Sequence, residues 1–405
     1  MTDIYYNEIV PDHVPADRVH DYDIYDYQNQ DPFLAAHKLL EDGVPEIFWT
    51  RNNGGHWIIT GAAGITEVDR NTTIFSTERM FVPEVQNPDP PFFIPNQADP
   101  PEHGVLRGII NPLFAPNRIA LLQEKIRAMS IEKIEAIRER GECEFVTDYA
   151  GEFPVIIFLS LTDLPEEDRF KLRAIAHRIL DPSGDTNRSA PIEDLVNYLA
   201  PVIEDRMVNP RDDVFSQILQ EGIRNRGLTR DTAVRLVATV LMGGLDTVTA
   251  ALTYLARHLA ENPIDRRRLI DEPDMIPRAV EEVLRRYPVS NIGRQLKTDA
   301  AFRGVEMRRN DHIVWSIAMH NLDKRAYADP LQIDFDRKKS QHSTFGGGIH
   351  FCPGATLART ELRTFTETWL ARIPDFHVRP GADIRYRNGH TITLRELPLV
   401  IGPAA

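Results

Sequence analysis

The chain has 405 residues, with 47 Lys plus Arg against 60 Asp plus Glu and a formal net charge of −13. That acidic excess argues against a general polyanion binder, so no nucleic acid is expected as a partner. A composition 42% apolar and 26% charged suits a globular enzyme with a large core, and with 29 Pro and 23 Gly spread evenly and no linker tract, a single unit over 1–405 is expected.

In chain order, MTDIYYNEIVPDHVPADRVHDYDIYDY is acidic and Pro-punctuated and lacks the basic and apolar regions of a signal peptide, so the cytoplasm is the expected location. PFLAAHKLLEDG predicts a short amphipathic helix, and EIFWTRNNGGHWIIT predicts a hairpin turning at NNGG, together a small β-rich lobe. Segment 84–98, EVQNPDPPFFIPNQA, is too Pro-rich for a regular helix or a central strand and predicts a covering loop. From Asp99 a helical period takes over, near 102–113, 117–140, 165–180, 191–207, 229–261 and 274–287. Beyond Tyr287–Pro288, β-branched strands are predicted near 295–317. A long irregular run to Gly348, a helix near 356–371 and a β-rich tail follow. The fold class is therefore mainly α with a smaller β region.

Between Arg235 and Arg257 the chain reads LVATVLMGGLDTVTAALTYLA, nearly long enough to span a bilayer. A carboxylate at its centre, Asp246, and adjacent Gly243 and Gly244 favour a buried helix of a protein outside the membrane.

Only two cysteines occur, which excludes a disulfide framework and any multi-cysteine zinc or iron–sulfur site from this chain alone. Cys143, in RERGECEFV, is flanked by Glu142 and Glu144 and reads as an inert thiol. Cys352 is different, because FGGGIHFCPG sets three glycines before it and a helical pattern after it. A helix N-terminus favours a thiolate, which leaves nucleophile, metal ligand and structural cysteine as readings. GGLDTV holds an acid–alcohol pair, Asp246–Thr247, which by itself is equally a satisfied helix pair. Glu282 and Arg285 in EEVLRRYP lie at i, i+3, alone most often a surface salt bridge. His103 and Arg107 in DPPEHGVLRGII lie at i, i+4 near a helix start, a spacing suited to gripping one anionic group.

In spacing, Phe345, Gly348, His350, Cys352 and Gly354 resemble the haem-ligand loop of the cytochrome P450 family. LMGGLDTV, EEVLRR, RIPDF and LPLV are similar to its bacterial camphor 5-monooxygenase branch. The resemblance implies the P450 fold and a monooxygenase that uses dioxygen and haem b, with Cys352 as proximal thiolate and Gly354 letting the next helix start beneath the porphyrin. It implies proton delivery through Asp246 and Thr247, and propionate contacts from His103, Arg107, Arg294 and His350. Glu282 and Arg285 become structural supports of the cysteine loop, with the third member of their network falling at Gln332. Electrons are implied to come from a two-iron two-sulfur ferredoxin reduced by an NADH-dependent flavoprotein, docking near Arg107 and a patch of Arg337, Lys338 and Lys339. The substrate pocket is expected to use Phe93, Thr239, Met242, Gly243, Val289, Ile292, His390 and Thr391. Pro90 or Pro91 stands where the branch has a tyrosine that donates to camphor's ketone, so camphor is not the expected substrate. A medium-sized apolar molecule with one oxygen, such as a monoterpenoid or norisoprenoid ketone, is. Two rivals are a peroxide-driven peroxygenase, which would lack the acid–alcohol pair, and a non-catalytic haem sensor or carrier.

Overall fold

The computed structural model describes residues 9–25, 31–83, 92–180, 189–338 and 341–402. Pro90, Pro91, Lys339 and most of the predicted covering loop therefore lie outside the described residues.

The N-terminal lobe forms as the alternation and turn chemistry require. Helix α1 (Pro32–Glu41) starts on Pro32 and is capped by the Asp31 carboxylate, which accepts from the amides of Phe33 and Leu34. Strands β1 (Ile47–Thr50) and β2 (His56–Ile59) pair antiparallel with Trp49 opposite Trp57, followed by α2 (Ala62–Arg70) and β3 (Phe75–Ser76). Helices α3 (Glu102–Ile110), α4 (Pro116–Ala120) and α5 (Gln123–Arg140) come next, α5 ending on Gly141 at φ 76°. The single helix expected over 117–140 is two, broken at Leu121 and Leu122.

After β4 (Glu142–Glu144) come α6 (Phe153–Leu161), α7 (Arg169–Leu180), α8 (Ser189–Val208) and α9 (Val214–Leu219). The segment read as one helix over 229–261 is also two, α10 (Arg230–Gly243), capped by Thr229, and α11 (Thr247–Glu261). Arg230–Glu261 is apolar and long enough to cross a membrane, yet 78% of its most apolar window is buried inside the protein. Helices α12 (Pro263–Asp271) and α13 (Ile276–Arg286) lead to β5 (Asn291–Leu296), β6 (Ala300–Phe302), β7 (Val305–Met307) and β8 (His312–Ser316). The irregular run is interrupted by α14 (Ile317–Asn321), then closes into α15 (Ala355–Arg372). The tail carries β9 (Phe376–Val378), β10 (Tyr386–Arg387), β11 (Thr393–Leu394) and β12 (Pro398–Ile401).

The largest sheet has the order β1-β2-β8-β5-β3, with β2 and β8 parallel and the other pairs antiparallel. A three-stranded sheet, β4-β12-β9, buries Cys143 opposite Leu399. Burial and then the charges of Asp148 and Glu144 push that thiol up to about 12, so it is inert as expected. Helices α5, α11, α13 and α15 pack together around wholly buried Tyr149, Tyr254 and Trp369. This helical block carries Thr247, Glu282 and Arg285, and α14 links it to the large sheet by packing on both α13 and β8.

His56, on β2, is wholly buried with neither ring nitrogen partnered. Burial and then nearby His312 lower its pKa to about 3. Since the unfolded imidazole titrates near ~6.5, the unfolded chain binds the extra proton first and stability falls as pH drops below that value. Relative to His56→Leu, the wild type should lose on the order of 2 kcal/mol more between pH 7 and pH 5, read from denaturant unfolding curves.

Candidate active site

The cysteine loop is a folded turn rather than a free strap. Gly346 and Gly348 adopt φ of 70° and 55°, and the Cys352 amide donates to the Phe345 carbonyl at 2.8 Å. A side chain on Gly347 would come within 2.7 Å of Asp69 Oδ2, so the glycines seat this loop on α2. Burial raises the Cys352 thiol, opposed by the amides of Gly354 and Ala355 at the start of α15 and by the charges of Arg107 and Arg359. The amides at the helix start favour the thiolate, as expected, and burial outweighs them. The thiolate form requires a positive partner opposite the sulfur, as a metal ion would be.

Beside the sulfur lies an edge of unsatisfied donors. The rings of His103 and His350 stand 4.2 Å apart, and His103 Nε2, His350 Nε2 and Arg107 Nε are buried without partners. Arg107 Nη2 donates to the Phe351 carbonyl. Burial lowers His103 to about 4 and His350 to about 3, with neighbouring cations adding to the effect. Orphaned donors of this kind call for an anionic ligand, since buried polar groups left unpaired are costly. Arg294 differs from the other three: it already pairs with Asp69 at 2.6 Å, an acid 225 positions away that sequence reading missed.

Opposite the loop, α10 gives way to α11 through Gly244, whose missing side chain makes room for the Phe158 ring; a Cβ there would meet it at 2.3 Å. Thr247 opens α11 and donates to the Gly243 carbonyl at 3.2 Å. Asp246 is buried and turned away from the cavity, toward His177 Nε2 at 3.2 Å and Arg387 at 3.7 Å. Burial by itself would raise this carboxyl, but the hydrogen bond from His177 and the charges of His177, Arg387 and Arg173 hold it below the usual carboxylate range. The acid and the alcohol are thus adjacent in sequence but face different surroundings, and no spacing signal marked His177 or Arg387.

A cavity of about 400 Å³ joins these parts. Its lining includes Cys352, Gly354, Phe345, His350, Arg107, Arg294 and Thr247, together with all eight expected substrate contacts: Phe93, Thr239, Met242, Gly243, Val289, Ile292, His390 and Thr391. His103, Gly348 and Asp246 stand outside that lining. Phe81, Phe114, Phe158 and Asn291 also line it and were missed. Asn291 Nδ2 donates to the Gly389 carbonyl at 2.7 Å, while Asn291 Oδ1 is buried and unpartnered.

The Glu282–Arg285 pair is not on the surface. Both side chains are buried, joined by bonds of 2.8 and 2.9 Å, and Arg285 also donates to the carbonyls of Asn321, Pro330 and Gln332. The third member is Arg337, whose Nε donates to Glu282 Oε1 at 2.9 Å. This corrects two expectations: Gln332 contributes only its carbonyl, and Arg337 points inward rather than joining a cationic surface patch with Lys338.

Comparison with known proteins agrees with this arrangement. The family model described as Cytochrome P450 matches residues 188–398. The chain is 32% identical over 401 residues to "Probable cytochrome P450 127A1" of Sinorhizobium fredii, covering 96% of each. It is 30% identical over 380 residues to the steroid C26-monooxygenase of Mycolicibacterium smegmatis, covering 91% of this chain and 93% of that protein. Among solved structures, CYP101J2 superposes with a TM-score of 0.89 at 33% identity, over 97% of this chain and 99% of that one. CYP101C1 does so with 0.87 at 36% identity, over 97% and 100%.

Proposed function

The chain belongs to the cytochrome P450 family, whose members are haem b monooxygenases, and from that premise we propose that it hydroxylates a medium-sized apolar terpenoid or norisoprenoid as one unit over 1–405. The observation carrying this reading is the single cavity that gathers Cys352, the orphaned donors of Arg107 and His350, Thr247 and an aromatic wall. When bound, haem b supplies the iron at which dioxygen is activated for insertion into an unactivated C–H bond.

The residues fit that group. Cys352 Sγ, just before α15, would hold the haem iron. His103, Arg107 and His350 would take the propionates, two carboxylates that satisfy the three orphaned donors. Arg294, held by Asp69, lends its charge to the same edge. Thr247 spends its proton on the Gly243 carbonyl, so its free lone pairs accept from a water or a proton donor in the cavity. Protons would enter from solvent at half-exposed His177 and pass to Asp246, whose carboxyl would have to turn from His177 toward the cavity to hand them to Thr247. Phe81, Phe93, Phe158, Met242, Val289 and Ile292 exclude water and position the substrate. The unpartnered acceptor Asn291 Oδ1 favours a substrate hydroxyl over a ketone at that end of the cavity. A two-iron two-sulfur ferredoxin with an NADH-dependent reductase is the electron source in this reading, and the cytoplasm the site of action.

The test is optical titration of the haem-loaded protein with ionone and ionol pairs and with camphor, followed by NADH-coupled turnover through a two-iron two-sulfur ferredoxin. A low-to-high-spin shift with the norisoprenoids, stronger for the alcohol and weak for camphor, is expected. Thr247→Ala should keep consuming NADH while product per NADH falls at least about tenfold. Full coupling in that variant would refute its proton role, faster turnover with peroxide would favour the peroxygenase, and binding without product would favour the carrier.

A further inference from the structure

Helix α13 carries two adjacent glutamates, and only Glu282 serves the Arg285 network. Glu281 faces the other way, toward the cysteine loop. It holds the guanidinium of Arg359 through two bonds, Nε at 2.7 Å and Nη2 at 2.9 Å, and it meets His342 Nε2 at 3.2 Å and Arg363 at 3.9 Å. So held, Arg359 lies 4.4 Å from the centroid of the Phe345 ring. Phe345 is the residue whose carbonyl accepts the Cys352 amide. Arg359 itself lies in the second turn of α15, the helix that begins just after Cys352, and its positive charge is felt at the Cys352 sulfur. The side chains of Glu281 and Arg359 are 21% and 27% exposed, sheltered enough that their fields are only partly screened.

Resting on the haem-thiolate reading above, we propose that Glu281 and Arg359 are positioning residues that set the electron affinity of the haem by fixing one compensated positive charge against Phe345 and the Cys352 loop. Adding an electron to the haem–thiolate unit makes it more negative. A nearby cation stabilises the reduced form, and a carboxylate paired to that cation restrains the effect. Bidentate pairing and stacking on the ring are geometries that guanidinium supplies and ammonium does not, so the distance of this charge is set by Arg specifically.

The test is the midpoint potential of substrate-free holoprotein in four variants, each checked for its carbonyl spectrum and thermal midpoint. Arg359→Gln should lower the potential, Glu281→Gln should raise it, and the double variant should return close to wild type. Arg359→Lys, which keeps the charge but not its bidentate, ring-stacked placement, should fall between wild type and Arg359→Gln in potential, which separates the presence of the charge from its position. Single variants that shift the potential in the same direction, or leave it unmoved while the thiolate-type carbonyl band is intact, overturn the proposal. A wild type lacking that band overturns the haem-thiolate reading, and the proposal with it.

Discussion

Arg285→Ala is expected to yield a chain that does not accumulate as folded, haem-binding protein. The guanidinium is wholly buried and makes five hydrogen bonds, two to Glu282 and three to carbonyls of Asn321, Pro330 and Gln332. Its removal leaves the Asn321 and Pro330 carbonyls without this donor, the Gln332 carbonyl with Arg337 alone, and a buried carboxylate held only by Arg337 and the Asp334 amide. Breaking a buried pair in this way costs about 3–5 kcal/mol, and the two abandoned carbonyls add to that. Against a total stability of about 5–15 kcal/mol this is decisive. Arg285→Lys restores the charge but cannot reach both carboxylate oxygens and the carbonyls together, so little recovery is expected. The measurement is soluble yield and haem-to-protein absorbance ratio; a normal ratio in Arg285→Ala would show that the irregular segment holds its shape without this hub.

The second large effect is expected from Cys352→Ala. The chain's other cysteine, Cys143, is buried in the β4-β12-β9 sheet, so no second thiolate can replace this sulfur. The variant should lose the red-shifted carbonyl band of a thiolate-ligated haem entirely, and turnover with it. The fold should persist. Alanine removes a thiol whose burial already disfavours its charged form, leaves the Cys352 amide bond to Phe345 in place, and adds a small residue at the start of α15. Apo-protein unfolding within about 1 kcal/mol of wild type, together with loss of the band, is the expected pair of results. Retention of the band would remove Cys352 from the iron.

The parts of this site that could be read from sequence are those encoded by contiguous residues. The cysteine loop needs glycines at fixed places and a helix directly after it, and Asp246–Thr247 sits beside the glycine that makes room for Phe158. The helical block was legible because its apolar period is strong, although the breaks at 121–122 and 244–246 were not. They depend on packing partners such as Phe158, which lies 86 positions before Gly244. What escaped sequence reading is set by long-range pairing. Asp69 with Arg294, His177 with Asp246 and Glu281 with Arg359 are meetings of segments 225, 69 and 78 positions apart. Arg337 was displaced onto the surface for a related reason. It lies in an irregular run, where no period says which way a side chain points, and a basic RKK string reads as a solvated face. Asn291 carried no signal at all, because an unpartnered oxygen is visible only once its neighbours are known.

The parallel pairing of β2 with β8 bears on how the molecule is made. The β1–β2 hairpin is complete by Ile59, with all eight of its residues buried in the final structure. Its next neighbour begins at His312, about 250 residues later, and β5 and α14 are needed to cover the same side. During synthesis that apolar edge emerges early and waits, unpaired, until most of the chain has left the ribosome. Non-local pairing of this kind slows folding and exposes a strand edge to other chains, so overproduction should be limited by aggregation of nascent chains and relieved by chaperones that hold them.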